Sequence, residues 1–349
     1  MGGVRRRCTT SWRETGWDVK ETLSSRLEQV VARTKGVFAF YVHDLATGAK
    51  AELRAGEPFP AASVIKLPIM LRLLEMAQDG AVSLDQTVTL TDWHKTGGSG
   101  VLQYFRAGLA ISLEDACTAM IALSDNTATN LILDVTGIEP VNAMLDRLGC
   151  RHTRLHRYFG KPEMPGPPGP SLAVPVEIGR LYELLLHGSV LSPPLSALAV
   201  AILRRQMWRA AIPRYLPEGT PIAHKTGSLN GVRHDAGIIW RPAPVAGARP
   251  ESAGPSQQGP RRPPASGRAP AGCSAQGTEA PPRPATGTMD LRGRAAGETG
   301  SWPRPPGCPI VFVGMSRDVA DQRWTVENQA EKALARAAKV AFDYLMRNT

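Results

Sequence analysis

Ser63 stands three residues before Lys66 in the stretch AASVIKLPIM, residues 61–70, and that spacing can do chemistry. On a helix, residues i and i+3 share a face, so the Ser63 hydroxyl and the Lys66 amine meet. The surrounding residues are almost all apolar (Val64, Ile65, Leu67, Ile69, Met70, Leu71, Leu73, Leu74, Met76), a density that belongs to a buried helix rather than a surface one. Desolvation lowers the pKa of a lysine held there, and a neutral amine can take the proton of a neighbouring serine. The plainer reading is a Ser63 cap and a Lys66 that snorkels to water; for so short a pattern in isolation it is the stronger one.

The elements that must position this pair can be read outward from it. Residues 21–34 carry Leu23, Leu27, Val30 and Val31 at helical spacing and end at Lys35-Gly36, a basic last turn and a C-cap glycine. Residues 37–42 and 51–54 read as a strand pair turned at Leu45-Ala46-Thr47-Gly48-Ala49. Beyond the Ser63 helix, Ser112 with Asp115 forms a capping-box start for a helix that stops near Ser124-Asp125-Asn126. Helical patterns follow at 129–135, 141–148, 176–186 and 195–208. Between the second and third, residues 159–175 are too rich in proline and glycine for regular structure and read as an Ω-type surface loop. Residues 222–228 and 232–240 read as strands joined at Asn230-Gly231, 309–316 as a third, and 326–345 as a long alanine-rich helix.

Composition narrows the class. The 349 residues are 42% hydrophobic and 21% charged, with no 18-residue apolar run able to span a bilayer. The net charge of +10 does not point to nucleic acid. Residues 241–307 hold nine arginines against four acids, and no basic stripe interleaved with aromatics occurs elsewhere. That same segment carries 14 of the 30 prolines and 11 of the 34 glycines, a composition that predicts disorder and an insert of about 65 residues into the turn of a strand pair. The five cysteines (8, 117, 150, 273 and 308) form no C-x-x-C pair and no Cys/His cluster, so no metal and no cofactor are expected. Residues 1–19 are basic without an apolar run, so the chain as written encodes no signal peptide and its location is open. The expected fold is α+β: an antiparallel sheet flanked by terminal helices (20–61 and 212–349, interrupted by the insert 241–308) and an all-helical lobe (62–211).

Two further motifs join the first in order: S-D-N at Ser124 to Asn126 and K-T-G at Lys225 to Gly227. Over roughly residues 20–240 and 309–347 the trio resembles the penicillin-recognising serine enzymes, and within them the class A β-lactamases. The resemblance implies the family's sandwich of sheet and helices and a monomer acting on a small-molecule β-lactam, needing neither nucleic acid nor membrane span. It also implies a family usually exported. In this reading Ser63 attacks the lactam carbonyl and Lys66 is its base. Backbone N–H groups of Ser63 and Ser228 hold the oxyanion, and Ser124 passes a proton to the departing nitrogen. Asn126 holds the substrate's side-chain amide, and Thr226, Gly227 and Ser228 border its carboxylate beside cationic Lys225, with Arg233 as a second cation. A second K-T-G, Lys95 to Gly97, precedes S-D-N and sits in a glycine-rich loop; it is a chance match. The family's deacylating glutamate, in E-x-x-L-N, is missing from the loop, and Glu163 is the carboxylate assigned to that role, with Ser171 standing for the asparagine. Two alternatives stand beside hydrolysis: a transpeptidase, carboxypeptidase or esterase slow to release its acyl group, and a non-catalytic binding protein that kept the pocket.

Overall fold

The computed structural model describes residues 21–164, 166–243 and 307–348. The tail 1–19 and the interior of the 241–308 segment, with the disorder expected there, lie outside the described residues. Helix α1 (Leu23–Val31) is capped by Thr22, whose Oγ1 accepts from the Ser25 N–H at 3.2 Å. Strands β1 (Val37–Asp44), β2 (Lys50–Leu53) and the short β3 (Phe59–Pro60) follow, then a one-turn 3₁₀ helix (Ala62–Ile65) running into α2 (Lys66–Gln78). Next come β4 (Thr87–Thr89), β5 (Ala110–Ser112), α3 (Leu113–Ala122), α4 (Asn126–Thr136), α5 (Ile138–Arg147), β6 (Leu172–Ala173), α6 (Pro175–His187) and α7 (Pro193–Arg204). The chain closes with β7 (Ile222–Leu229), β8 (Val232–Arg241), β9 (Cys308–Arg317) and α8 (Gln329–Arg347).

Five strands form one antiparallel sheet in the order β2-β1-β9-β8-β7. Alternation along its central strands divides the core in two. Phe38, Phe40 and Val42 of β1 with Ile310 and Phe312 of β9 face Leu23 and Leu27 of α1 and the alanine-rich side of α8. Ala39 and Tyr41 with Val311, Val313 and Met315 face the larger core that α2 to α7 build. Burial on both sides is why these strands read as unbroken apolar runs.

Three boundaries differ from the sequence reading. Segment 62–211 is not all helix: β4 pairs with β5, and β6 ties the proline-rich loop to β3. Helix α4 begins at Asn126, three residues early, because the Asp125 Oδ1 accepts the Ala128 N–H at 2.8 Å and caps it. Arg241 and Cys308, assigned to the insert, are sheet residues and register partners. Arg241 is held in place by a buried ion pair, its Nη2 2.8 Å from the Asp44 Oδ2, and removing one partner of such a pair typically costs about 3–5 kcal/mol.

Candidate active site

Ser63 sits in the 3₁₀ turn between β3 and α2, and Lys66 is the first residue of α2. Ala62, just before the serine, is held at φ +45°, a left-handed conformation that costs a non-glycine residue about 1–3 kcal/mol and marks backbone bent for position. Lys66 is fully buried. Its Nζ lies 2.7 Å from the Ser124 carbonyl oxygen, 2.8 Å from the Asn126 Oδ1 and 3.3 Å from the Ser124 Oγ. Burial pulls its pKa well below the ordinary lysine value, the nearby Lys225 adds to that, and Asp125 opposes it. A neutral amine has two N–H donors and one lone pair. The carbonyl and amide oxygens take the donors, which leaves the lone pair free to receive a proton.

Ser124 occupies the break between α3 and α4, also left-handed at φ +56°. The break is held from below by Asp125, whose Oδ2 accepts the N–H groups of Val101 at 2.6 Å and Leu102 at 2.9 Å. A side chain at Gly100 would overlap this carboxylate, so glycine is required for the loop to close on it. Asn126 joins the same loop, its Nδ2 donating to the Gly97 carbonyl at 3.0 Å. The second K-T-G therefore belongs to the loop that carries S-D-N and lies on no strand, while its Lys95 forms an exposed pair with Asp92.

Lys225 approaches from β7 and donates to the Ser124 Oγ at 3.0 Å and to the Thr226 carbonyl at 2.8 Å. Burial lowers its pKa to about 7, with Asp235 opposing. Gly227 follows. A Cβ there would lie 3.1 Å from the Ser63 backbone nitrogen and 3.2 Å from that of Val64, so the bare glycine lets the strand lie against the Ser63 turn. Thr226 and Ser228 line the same cleft on either side of it. Arg233 also reaches the cleft, where its Nη1 donates to the Leu229 and Val232 carbonyls at 2.6 and 2.7 Å and its Nη2 to the Arg323 carbonyl at 2.8 Å, while its Nε lies 3.4 Å from the Glu331 Oε1 and the Trp324 ring stacks on it. These contacts compete with the expected role of Arg233 as an anchor for a substrate carboxylate. Two histidines flank these strands: His224 pairs with buried Asp235 at 2.7 Å, and burial lowers the His234 pKa to about 4, its Nε2 lying 2.7 Å from the Pro60 carbonyl.

Glu163 is not brought to this group. It is exposed, in a turn closed by the Met164 N–H on the Lys161 carbonyl, and it does not line the cleft. Proline and glycine on both sides carry that part of the loop outward. Ser171, by contrast, lines the cleft: its carbonyl accepts the Ala61 N–H at 2.7 Å, two residues before Ser63, and its Oγ accepts the His156 N–H at 3.0 Å. Several residues of the loop line the cleft, Tyr158, Phe159, Gly160, Pro170 and Ser171 among them, and of these Phe159 comes up to the Lys66 Nζ, its ring centroid 4.7 Å away. No sequence signal singled it out, because an isolated aromatic in a proline-rich stretch has no periodicity and no partner in sequence. The sequence also missed the apolar rim of Met207, Trp208, Trp324 and Val326, each more than half exposed.

Ser63, Ser124, Asn126, Phe159, Thr226 and Ser228 share a cleft of about 1150 Å³ between α2, α4, the loop and β7. Such a volume accepts a drug-sized molecule. Among the described residues no cluster of three or more His, Cys, Asp and Glu is placed to hold a metal. The chain is similar to known proteins in sequence and in fold. A family model described as "Beta-lactamase enzyme family" matches residues 22–248. A protein from Streptomyces cellulosae called "Beta-lactamase" is 35% identical over 223 residues, 60% of this chain and 69% of its own length. Among solved structures, a variant of the class A β-lactamase of the last common ancestor of Gram-negative bacteria superposes with a TM-score of 0.68 at 21% identity, covering 94% of this chain and 99% of that one. A point mutant of PBP-A, captured as an acyl-enzyme complex with penicillin G, gives the same TM-score and identity over 93% of this chain and 96% of that one.

Proposed function

The chain belongs to the beta-lactamase enzyme family, and from that membership we propose that Ser63 is the nucleophile through which it hydrolyses the β-lactam amide bond. The observation that supports this most is the meeting of two lysines at one hydroxyl: Lys66 and Lys225, 58 and 101 residues from Ser124 along the chain, both reach the Ser124 Oγ within 3.3 Å. These contacts support reading Lys66 and Ser124 as a proton relay from Ser63 to the departing nitrogen. In the first step the Ser63 Oγ bonds to the lactam carbonyl carbon, the C–N bond opens, and the hydroxyl proton passes through Lys66 and Ser124 to nitrogen. The oxyanion is held by the backbone N–H groups of Ser63 and Ser228, which Gly227 allows to lie close together. Asn126 receives the substrate's side-chain amide, and Lys225 with Thr226 and Ser228 its carboxylate.

An acyl-enzyme of penicillin on a protein of the same fold is consistent with this chemistry. We propose further that one chain suffices and that nucleic acid plays no part, since no step needs either. No described helix is long and apolar enough to cross a membrane. The test is colour release from a chromogenic cephalosporin by the full chain and by Ser63→Ala; the parent opens the ring and the variant does not.

A further inference from the structure

We propose that release of the acyl group, not its capture, limits this enzyme, because Phe159 stands where water would have to be activated, so that the Ser63 acyl-enzyme accumulates as a long-lived stoichiometric adduct. The inference rests on Ser63 being the nucleophile. It is carried by what surrounds the lysine. Two oxygens hold the N–H donors of Lys66, and the phenyl ring covers another side at 4.7 Å. The ring is fixed there by a clasp on its own backbone: buried Asn130 donates from its Nδ2 to the Phe159 carbonyl at 3.0 Å, and its Oδ1 accepts the Phe159 N–H at 2.9 Å. The next residue, Gly160, is left-handed at φ +64°, and the chain then leaves the cleft, carrying Glu163 to the exposed turn.

Deacylation needs a base. The oxygen of water must bond to the ester carbonyl carbon as its proton leaves, and the C–O bond to Ser63 then breaks while that oxygen takes a proton back. A phenyl ring accepts no proton and displaces water from the face it covers. The nearby carboxylates are occupied. Asp125 accepts the Val101, Leu102 and Ala128 N–H groups, and Glu331, the sole carboxylate among the described residues lining the cleft, pairs with Arg233. The other basic groups are engaged as well: Lys66 serves the first step, Lys225 is held by the Ser124 hydroxyl and the Thr226 carbonyl, and the ring nitrogens of His234 lie against the Arg233 and Pro60 carbonyls. A well-placed general base contributes about 10²–10⁴-fold, and that is the factor the second step lacks.

The test follows colour and intact mass together after mixing the full chain with a chromogenic cephalosporin. Expected is a burst of about one equivalent, a steady rate at least 10²-fold slower than the burst, and a protein mass that keeps the acyl increment. Phe159→Glu is expected to retain the burst while raising the steady rate at least tenfold and shortening the adduct's life. Phe159→Leu, which keeps the site apolar, is expected to leave the adduct long-lived. Sustained turnover by the parent with no adduct overturns the inference and leaves the Ser63 mechanism standing; so does a Phe159→Glu protein that bursts normally yet releases no faster. A parent that neither releases colour nor gains an acyl increment overturns the Ser63 mechanism itself.

Discussion

At the scale of single residues the site is a set of amines whose charge burial makes costly and shared hydrogen bonds partly offset. Lys225 titrates near pH 7 because its ammonium is desolvated. Below that pH it is charged and can hold a substrate carboxylate; above it the charge is lost. Lys66 works in the opposite sense, since it is a base only after losing its proton, and its pKa is also lowered. The second-order acylation constant should therefore rise with pH as Lys66 deprotonates and fall again above about pH 7 as Lys225 does, in a bell measured on the free enzyme. In Lys225→Arg the falling limb should disappear, because a guanidinium stays charged, although its different shape lowers the plateau. A falling limb that survives the change would remove Lys225 from carboxylate binding. Glu163 supplies the contrary prediction. Exposed and outside the cleft, it can be replaced in Glu163→Ala with the steady rate and adduct lifetime changed by less than about twofold; a stalled variant would restore it as the base.

At the scale of elements, function depends on how closely β7 lies against the Ser63 turn. Gly227→Val puts a branched side chain where even a Cβ would stand 3.1 Å from the Ser63 nitrogen and from the Ala62 Cβ. The strand must retreat, and a displacement of about 1 Å at a reacting centre can cost 10²-fold. We expect acylation to fall at least tenfold while the melting temperature drops by only a few degrees, measured by rapid mixing and by thermal unfolding. These elements were legible in the sequence to the extent that each carries its own pattern. The S-x-x-K helix, the Ser112 capping box and the strand of Lys225 to Gly227 announce themselves by spacing, and the ordered trio identified the fold. The loop did not, because its geometry is set by tertiary clasps. Asn130 fixes Phe159 from another element, so the loop's sequence alone points to its one carboxylate, Glu163, which lies exposed outside the cleft. Arg233 shows a related limit: its type suits an anion, but its contacts with the carbonyls of Leu229 and Val232 nearby and of Arg323 far along the chain could not be read from type alone.

At the scale of the whole molecule, the cleft is formed where helices α2 and α4 meet the sheet, and the sheet is closed by β8 and β9 pairing from Arg233 with Ser316 to Arg241 with Cys308. Because Arg241 and Cys308 already face each other, joining 243 to 307 by a short turn should preserve the sheet, and loop-closure entropy favours the shorter connection modestly. Soluble protein with an unchanged acylation rate is expected; its loss would mean that residues 244–306 contribute to the site or to folding. All of this rests on one covalent bond, and peptide mapping by mass spectrometry reads it directly. After reaction of the full chain with a penicillin and proteolysis, a single acyl increment is expected on the peptide that carries Ser63, and none anywhere in Ser63→Ala. Label on another peptide, or label that survives in Ser63→Ala, contradicts the assignment of Ser63 as the nucleophile.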